Sequence, residues 1–198
     1  VPDTVVLLTP SHRYDRPPCA LWTGGPWETP LGPVPLQEDV TAALGELPEV
    51  TPEDVPHMAE HSGEVVVPFL QFRNPDVRLA VLCVTHSVGM EQLISLGDGI
   101  KDVLERCGQS DALVVASSDM SHEEGPKAEE IVKKQDPLAV SEMEKLDPKG
   151  LVRVCRENRI TMCGALPAAA MLASVRERGG RRGQVIHRAT SADSAFAR

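Results

Sequence analysis

Continuous runs of apolar residues mark three segments of the chain. They cover residues 4–8 (TVVLL), 78–84 (RLAVLCV) and 112–116 (ALVVA), and each is short and rich in Val, Leu or Ala. A strand that is buried on both faces lacks the polar alternation of a half-exposed strand. The runs therefore predict three buried strands.

Elsewhere, apolar residues recur at helical spacing. The clearest case is residues 90–107, where Leu93, Leu96 and Ile100 fall on one face and Gly108 follows as a C-cap. Further helices are predicted over residues 38–47, 127–145, 148–158 and 165–178, and a last short strand over residues 184–188. Strands that alternate with helices indicate an α/β fold with a mixed or mostly parallel sheet.

Two segments show neither a continuous apolar run nor helical spacing. Residues 11–36 are rich in Pro and Gly and predict a long loop, which in a compact domain is usually functional or disordered. Residues 48–56 predict a second connector. The length of 198 residues suits one domain over the whole chain.

Composition narrows the class of protein. Hydrophobic residues make up 41% and charged residues 25%, which is ordinary for a globular domain and argues against disorder or a coiled coil. Aromatic residues make up only 3%, so we expect a core of Val, Leu, Ala and Met. No apolar run approaches the roughly 20 residues that cross a bilayer.

The net charge of the chain argues against two classes of binding partner. The net charge of -9 disfavours nucleic acid or an anionic membrane as the main partner, because both require a basic face. One basic cluster is interpreted as a helix end and a solvated turn rather than as a phosphate site, and it contains Arg176, Arg178, Arg181 and Arg182.

The five cysteines form no CxxC pair, which excludes a zinc ribbon and a thioredoxin motif. Reduced thiols in a cytoplasmic protein are the simplest interpretation. Cys83 lies within an apolar run and is expected in the core, whereas Cys163 precedes a predicted helix.

Polar side chains cluster at the predicted ends of strands and starts of helices. In open α/β sheets, ligands bind beyond the carboxyl ends of the strands. The candidates there are Ser11, His12, Ser117, Ser118, Asp119, Ser121 and His122, with His61, Ser62 and Glu64 at a helix expected before the second strand and Cys163 and Gly164 before the late helix. Imidazole, carboxylate and thiol groups are thus expected at one edge.

Each candidate also has a structural interpretation. SSDMSH and HSGE both fit helix caps, because Ser and Asp accept hydrogen bonds from free N–H groups. Cys163 fits an ordinary buried thiol. His86 also follows a strand and serves as a comparison, while His57 and His187 are interpreted as packing or surface residues.

Five motifs in this order resemble those of the Memo family. They are TPSH (residues 9–12), TPLG (29–32), EHSGEVVVPFL (60–70), SSDMSH (117–122) and MCGALP (162–167). Memo proteins are similar to the class III extradiol ring-cleaving dioxygenases, which are non-haem iron enzymes. The resemblance covers essentially the whole chain and implies a central sheet flanked by helices, with a metal-binding cleft at one sheet edge.

The resemblance assigns roles to particular residues. His12 and Cys163 match metal ligands, and His122 matches an acid/base histidine that Asp119 would orient. His61 and Glu64 match the lining of the cleft, where Ser11, Ser118 and Ser121 are also expected. Imidazole with thiolate suits a divalent transition metal, with iron as first choice and copper or zinc as alternatives.

Two departures from the family pattern leave alternatives open. His12 is followed by Arg13, where relatives often carry a second histidine, and the family's earlier segment resembling Pro-His-Ala-Gly-Tyr, which holds a third ligand, is not in this sequence. The last strand of the family is expected to be cut short after Ser191. Either the chain is trimmed, which the first residue Val1 favours, or it is a divergent member that has lost metal chemistry.

The main functional hypothesis is a metal-dependent, dioxygenase-like oxidoreductase that acts on a small molecule. The alternative is a scaffold protein whose cleft binds a peptide or small molecule without turnover, in line with the peptide binding associated with Memo proteins. A hydrolase ranks lower, because the sequence contains neither a GxSxG nor an HExxH motif.

Overall fold

A five-stranded sheet forms the centre of the computed structural model, which describes residues 1–193. The strand order is β5-β2-β6-β1-β7, with β1 (Thr4–Pro10) between β6 (Arg78–Val84) and β7 (Leu113–Ala116), all three parallel. β2 (Cys19–Leu21) runs antiparallel to β6 and parallel to β5 (Val50–Pro52). The predicted fold class, α/β with a mixed and mostly parallel sheet, is confirmed.

Helices flank this sheet. They are α1 (Glu38–Leu44), α2 (Val55–Met58), α3 (Val67–Arg73), α4 (Met90–Arg106), α5 (Ala128–Glu144), α6 (Pro148–Asn158) and α7 (Ala165–Glu177). The five helices predicted from apolar spacing correspond to α1, α4, α5, α6 and α7. None of the helices within residues 1–193 is both long enough and apolar enough to cross a membrane.

Both faces of β1 are buried, which explains its continuous apolar run. Val6 and Leu8 pack into the cluster that includes residues of α4 and α7, while Val5 and Leu7 pack on the opposite face into a cluster with α3. Alternate residues of one strand thus serve two cores. Cys83 is fully buried in β6, as its apolar run predicts.

The segment over residues 11–36 is not the structureless loop that its Pro and Gly content predicts. It contains β2 and a two-stranded antiparallel sheet of β3 (Trp27–Thr29) and β4 (Gly32–Val34). Each of these strands has only three residues, so its pairing depends on neighbours and leaves no apolar period in the sequence.

Three other expectations need correction or qualification. Residues 184–188 form no strand, and Ile186 is 95% exposed. The helix expected to open at His61 begins only at Val67, after a series of turns. The expectation of a strand cut short after Ser191 falls partly outside the described residues, since Ser191–Asp193 is a short 3-10 helix and residues 194–198 are not described.

Candidate metal centre

The carboxyl ends of β1, β6 and β7 meet at one edge of the sheet. Pro10 of β1 pairs with Val84 of β6, and the ladder continues as Ser11 donates to the Val84 carbonyl at 3.2 Å. On the other side of β1, the Ser117 N–H donates to the Leu8 carbonyl at 2.9 Å. The segments that begin at Ser11 and Ser117 therefore leave the sheet side by side, as strand order predicts.

Glu60 lies against the imidazole of His12. Its side chain is 4% exposed, although carboxylates are rarely buried without partners. Oε2 accepts the backbone N–H of His12 at 2.8 Å, and Oε1 accepts the backbone N–H of Ser62 at 3.0 Å. The distance from Oε1 to Nδ1 of His12 is 2.8 Å. Glu60 thereby ties its own turn to the segment after β1.

These contacts determine the charge of Glu60. Burial by itself raises the pKa of the carboxyl group, but the hydrogen bonds from Ser62 and His12 outweigh burial and lower the pKa to about 2. The group is therefore ionised at neutral pH and can only accept hydrogen bonds. It follows that Nδ1 of His12 carries the proton in this contact.

His61 completes a group of three metal-ligating side chains. Its ring stacks on that of His12, with 4.8 Å between centroids and 29° between planes, and its Nδ1 is 3.5 Å from Oε1 of Glu60. One ligand atom from each of His12, Glu60 and His61 lies within 4.8 Å of the others. Within residues 1–193 no other set of three His, Cys, Asp or Glu side chains comes this close.

Cys163 lies outside that group. Its Sγ accepts the backbone N–H of Asp119 at 3.2 Å and is 3.9 Å from Oγ of Ser118. The thiol is half-buried just before α7, whose first turn approaches the segment after β7 closely. A side chain at Gly164 would collide with the Ser117 carbonyl oxygen and with Ser118, so only glycine fits there.

His122 is held by Thr161. The backbone N–H of His122 donates to the Thr161 hydroxyl at 2.6 Å, and Nδ1 of the ring lies 2.9 Å from the Thr161 carbonyl. Because a carbonyl only accepts, Nδ1 is the donor and Nε2 is left to exchange a proton. Nε2 is 3.5 Å from a carboxylate oxygen of Asp119, and both side chains are exposed. The ring is therefore oriented through Thr161, while Asp119 lies on the Nε2 side.

Two further contacts position the segment after β7. The Ser121 hydroxyl donates to the buried Asp136 carboxylate of α5 at 2.6 Å. The Ser117 hydroxyl donates to the Ser62 carbonyl at 2.7 Å, which joins this segment to the His61 turn. The segment after β7 and the turn that carries His61 are thus in direct contact.

The remaining pocket candidates differ in their placement. The buried Ser11 donates its hydroxyl to the Tyr14 carbonyl at 2.7 Å and shapes the turn that carries His12. Glu64 is exposed and does not belong to the group of three. The structure therefore brings together His12 and His61 among the predicted residues, whereas His122 lies on the segment after β7 and Cys163 lies just before α7.

Sequence reasoning missed three residues with specific contacts at this edge: Glu60, Thr161 and Asp136. The available signal for Glu60 is its position at the start of the EHSGEVVVPFL motif. Thr161 lies one residue before the MCGALP motif. Nothing in the sequence distinguishes Asp136 from the other charged residues of its helix.

The chain is similar to known proteins of one family. A family model described as "Memo-like protein" matches residues 1–198. A MEMO1 family protein of Sulfolobus acidocaldarius is 36% identical over 199 residues, which cover 98% of this chain and 67% of that protein. A MEMO1 family protein of Aquifex aeolicus is 34% identical over 195 residues, which cover 98% of this chain and 70% of that protein.

Proposed function

Because this chain belongs to the Memo family, we propose that it binds a divalent transition metal, iron by first choice, and acts as a dioxygenase-like oxidoreductase on a small molecule. Copper and zinc are the alternative metals. The observation that carries this proposal is the stacked pair of His12 and His61 over the ionised Glu60.

The donor set fits such an ion. Imidazole nitrogens suit iron, copper and zinc, and they are poor ligands for magnesium or calcium. A buried carboxylate with a lowered pKa adds a permanent negative charge beside the two rings. That charge favours a bound cation, because it is screened less than an exposed charge.

The neighbouring segment supplies the groups for proton transfer. Thr161 holds the ring of His122 so that Nε2 is free to accept or return a proton. When bound, a redox-active ion would supply the electron-transfer chemistry that these side chains lack. His122 would serve as the acid/base group, with Asp119 close to Nε2.

Cys163 is proposed as a further ligand, on the family resemblance. The N–H of Asp119 donates to its Sγ at 3.2 Å, and a cysteine thiolate is a soft ligand that suits iron, copper and zinc. Its segment contacts Ser118, and the adjacent Ser117 contacts the carbonyl of Ser62 in the His61 turn. The Cys163 segment and the His61 turn therefore both contact the segment after β7.

Metal analysis after anaerobic loading with Fe(II) tests this function. We expect near-stoichiometric iron in the wild type and a clear loss in His12→Ala and His61→Ala. His86→Ala is the matched control, because His86 also follows a strand at this edge but is exposed and outside the group of three. Absence of metal from the wild type, or equal metal in His12→Ala and His86→Ala, would refute the proposal.

A second candidate function rests on a different observation. Phe69 and Phe72 of α3 are 74% and 73% exposed, on the helix that follows the His61 turn. Adjacent exposed apolar side chains mark surfaces that bind other molecules, and a peptide is the ligand considered for this one. Peptides selected from a random library should then bind equally well with and without a chelator and should lose affinity in Phe69→Ser/Phe72→Ser.

A further inference from the structure

The carboxylate of Glu60 is already engaged by protein donors. Oε2 accepts one backbone N–H, from His12 at 2.8 Å. Oε1 accepts the backbone N–H of Ser62 at 3.0 Å and Nδ1–H of the His12 ring at 2.8 Å. Nδ1 of His12 also lies 3.1 Å from Oε2, so protein donors face both oxygens and occupy at least three of the about four lone-pair sites of this carboxylate.

The same contacts define the state of the His12 ring. A neutral imidazole carries one proton, and Glu60 accepts that proton on Nδ1. Nε2 is then the nitrogen with a free lone pair. The ring thus has the tautomer that binds metals through Nε2, as is common when the second nitrogen donates to a carboxylate.

His61 follows the same geometry more loosely. Its Nδ1 is 3.5 Å from the same oxygen of Glu60, and its ring lies nearly parallel to that of His12. Both Nδ1 atoms approach one carboxylate oxygen, so Nε2 is the nitrogen of each ring that Glu60 does not engage. The stacked pair therefore leaves two Nε2 atoms for a metal.

We propose that Glu60 is a positioning residue rather than a metal ligand, and that it holds His12, and less tightly His61, with Nε2 free to bind the ion. The metal-binding part rests on the proposed function. The tautomer is a property of the metal-free protein and is tested separately.

The first measurement is long-range ¹H–¹⁵N NMR of the histidine rings in the metal-free full chain, at a pH at which their ¹⁵N shifts identify neutral rings. We expect His12 to show a protonated Nδ1 and an unprotonated Nε2. In Glu60→Gln the amide can donate to Nδ1, so the second tautomer should appear. Glu38→Gln is the control, because Glu38 is an exposed carboxylate at the start of α1, outside the group of three, and should leave the wild-type pattern.

In the second measurement, the same variants are titrated with Co(II), and binding is monitored by calorimetry and by visible absorption. We expect Glu60→Gln to bind about 10–100-fold more weakly, as for other residues that orient a ligand, with the positions of the d–d bands unchanged. Shifted bands would make Glu60 a ligand and overturn the proposal. Equal affinity in Glu60→Gln and Glu38→Gln would also overturn it.

The two measurements separate the possible failures. A wild-type His12 with its proton on Nε2 refutes the positioning role without any variant, so the result does not depend on whether Glu60→Gln folds. A wild type that binds no Co(II) but shows the expected tautomer refutes the metal-binding function and leaves the role of Glu60 in orienting the ring intact.

Discussion

Thr161 and His122 hold each other through three hydrogen bonds. The Thr161 hydroxyl accepts the backbone N–H of His122 at 2.6 Å and donates to the His122 carbonyl at 3.2 Å. The third contact joins Nδ1 of the ring to the Thr161 carbonyl at 2.9 Å. Thr161 lies two residues before Cys163, so this contact ties the segment that carries the acid/base candidate to the start of α7.

Replacement of Thr161 by Val should loosen the segment that carries His122. The variant keeps the shape of the side chain but removes the hydroxyl that pairs with the backbone N–H and carbonyl of His122. We expect a loss of about 1 kcal/mol in local stability and correspondingly faster hydrogen exchange at the His122 amide. Thr161→Ser retains the hydroxyl and should keep wild-type exchange. Identical rates in the Val and Ser variants would show that the hydroxyl contributes nothing.

Loss of the Asp136 carboxylate should destabilise the fold. Asp136 is 4% exposed and accepts the hydroxyl of Ser121 at 2.6 Å, so Asp136→Ala leaves that donor without its partner. We expect a decrease of about 2 kcal/mol in the free energy of unfolding, measured by urea denaturation. Glu130→Ala is the control on the same helix. Glu130 is exposed and pairs with Lys134 in an exposed ion pair, so its removal should cost at most about 0.5 kcal/mol.

Alkylation of the native protein should distinguish the cysteines. Burial raises the pKa of Cys83 and of Cys155 to about 11, and Cys19 is fully buried, so these three thiols should resist iodoacetamide at pH 8. Cys107 and Cys163 are half-buried and should react. Peptide mass spectrometry measures the modification at each site, and all five should react in denaturant. A native protein that reacts at Cys107 but not at Cys163 would contradict the accessible position assigned to Cys163.

Those features of the fold and the site that depend on strand order could be predicted from the sequence. The apolar runs of β1 and β6 are continuous because both faces of these strands are buried, whereas β7, at the edge of the sheet, buries only Val114 fully. Parallel strands end at the same edge, which places the segments of His12 and Ser117 side by side. The order of the apolar runs along the sequence is therefore sufficient to predict that these strand ends lie side by side.

The contacts that complete the site could not be predicted in this way. Glu60 reaches His12 across 48 positions, and this contact exists only because the turn before α3 folds against the end of β1. β2 has three residues and pairs with β5 and β6 on either side, so its conformation is decided by its neighbours. Spacing within one segment carries no information about either contact.

Acid should destabilise the protein through His57, which packs against Trp22 with 5.8 Å between ring centroids and has Nε2 3.2 Å from the Ala20 carbonyl. Burial lowers the pKa of His57 from 6.5 to about 4, against the opposing effects of that hydrogen bond and of Asp54 and Glu60. The unfolded chain therefore binds a proton at a higher pH than the folded chain, so this contribution to stability is complete above pH 6.5 and is lost as the pH falls toward 4.

The full loss is at most about 3 kcal/mol. Urea denaturation between pH 7 and pH 5 measures about 2 kcal/mol of this loss, and the Glu60 carboxyl contributes below its ordinary pKa of 4.5. His57→Gln keeps a donor for the Ala20 carbonyl and should flatten this slope, whereas His86→Gln, at an exposed position, should keep it. Equal slopes in the wild type and His57→Gln would mean that His57 does not titrate differently in the folded and unfolded states.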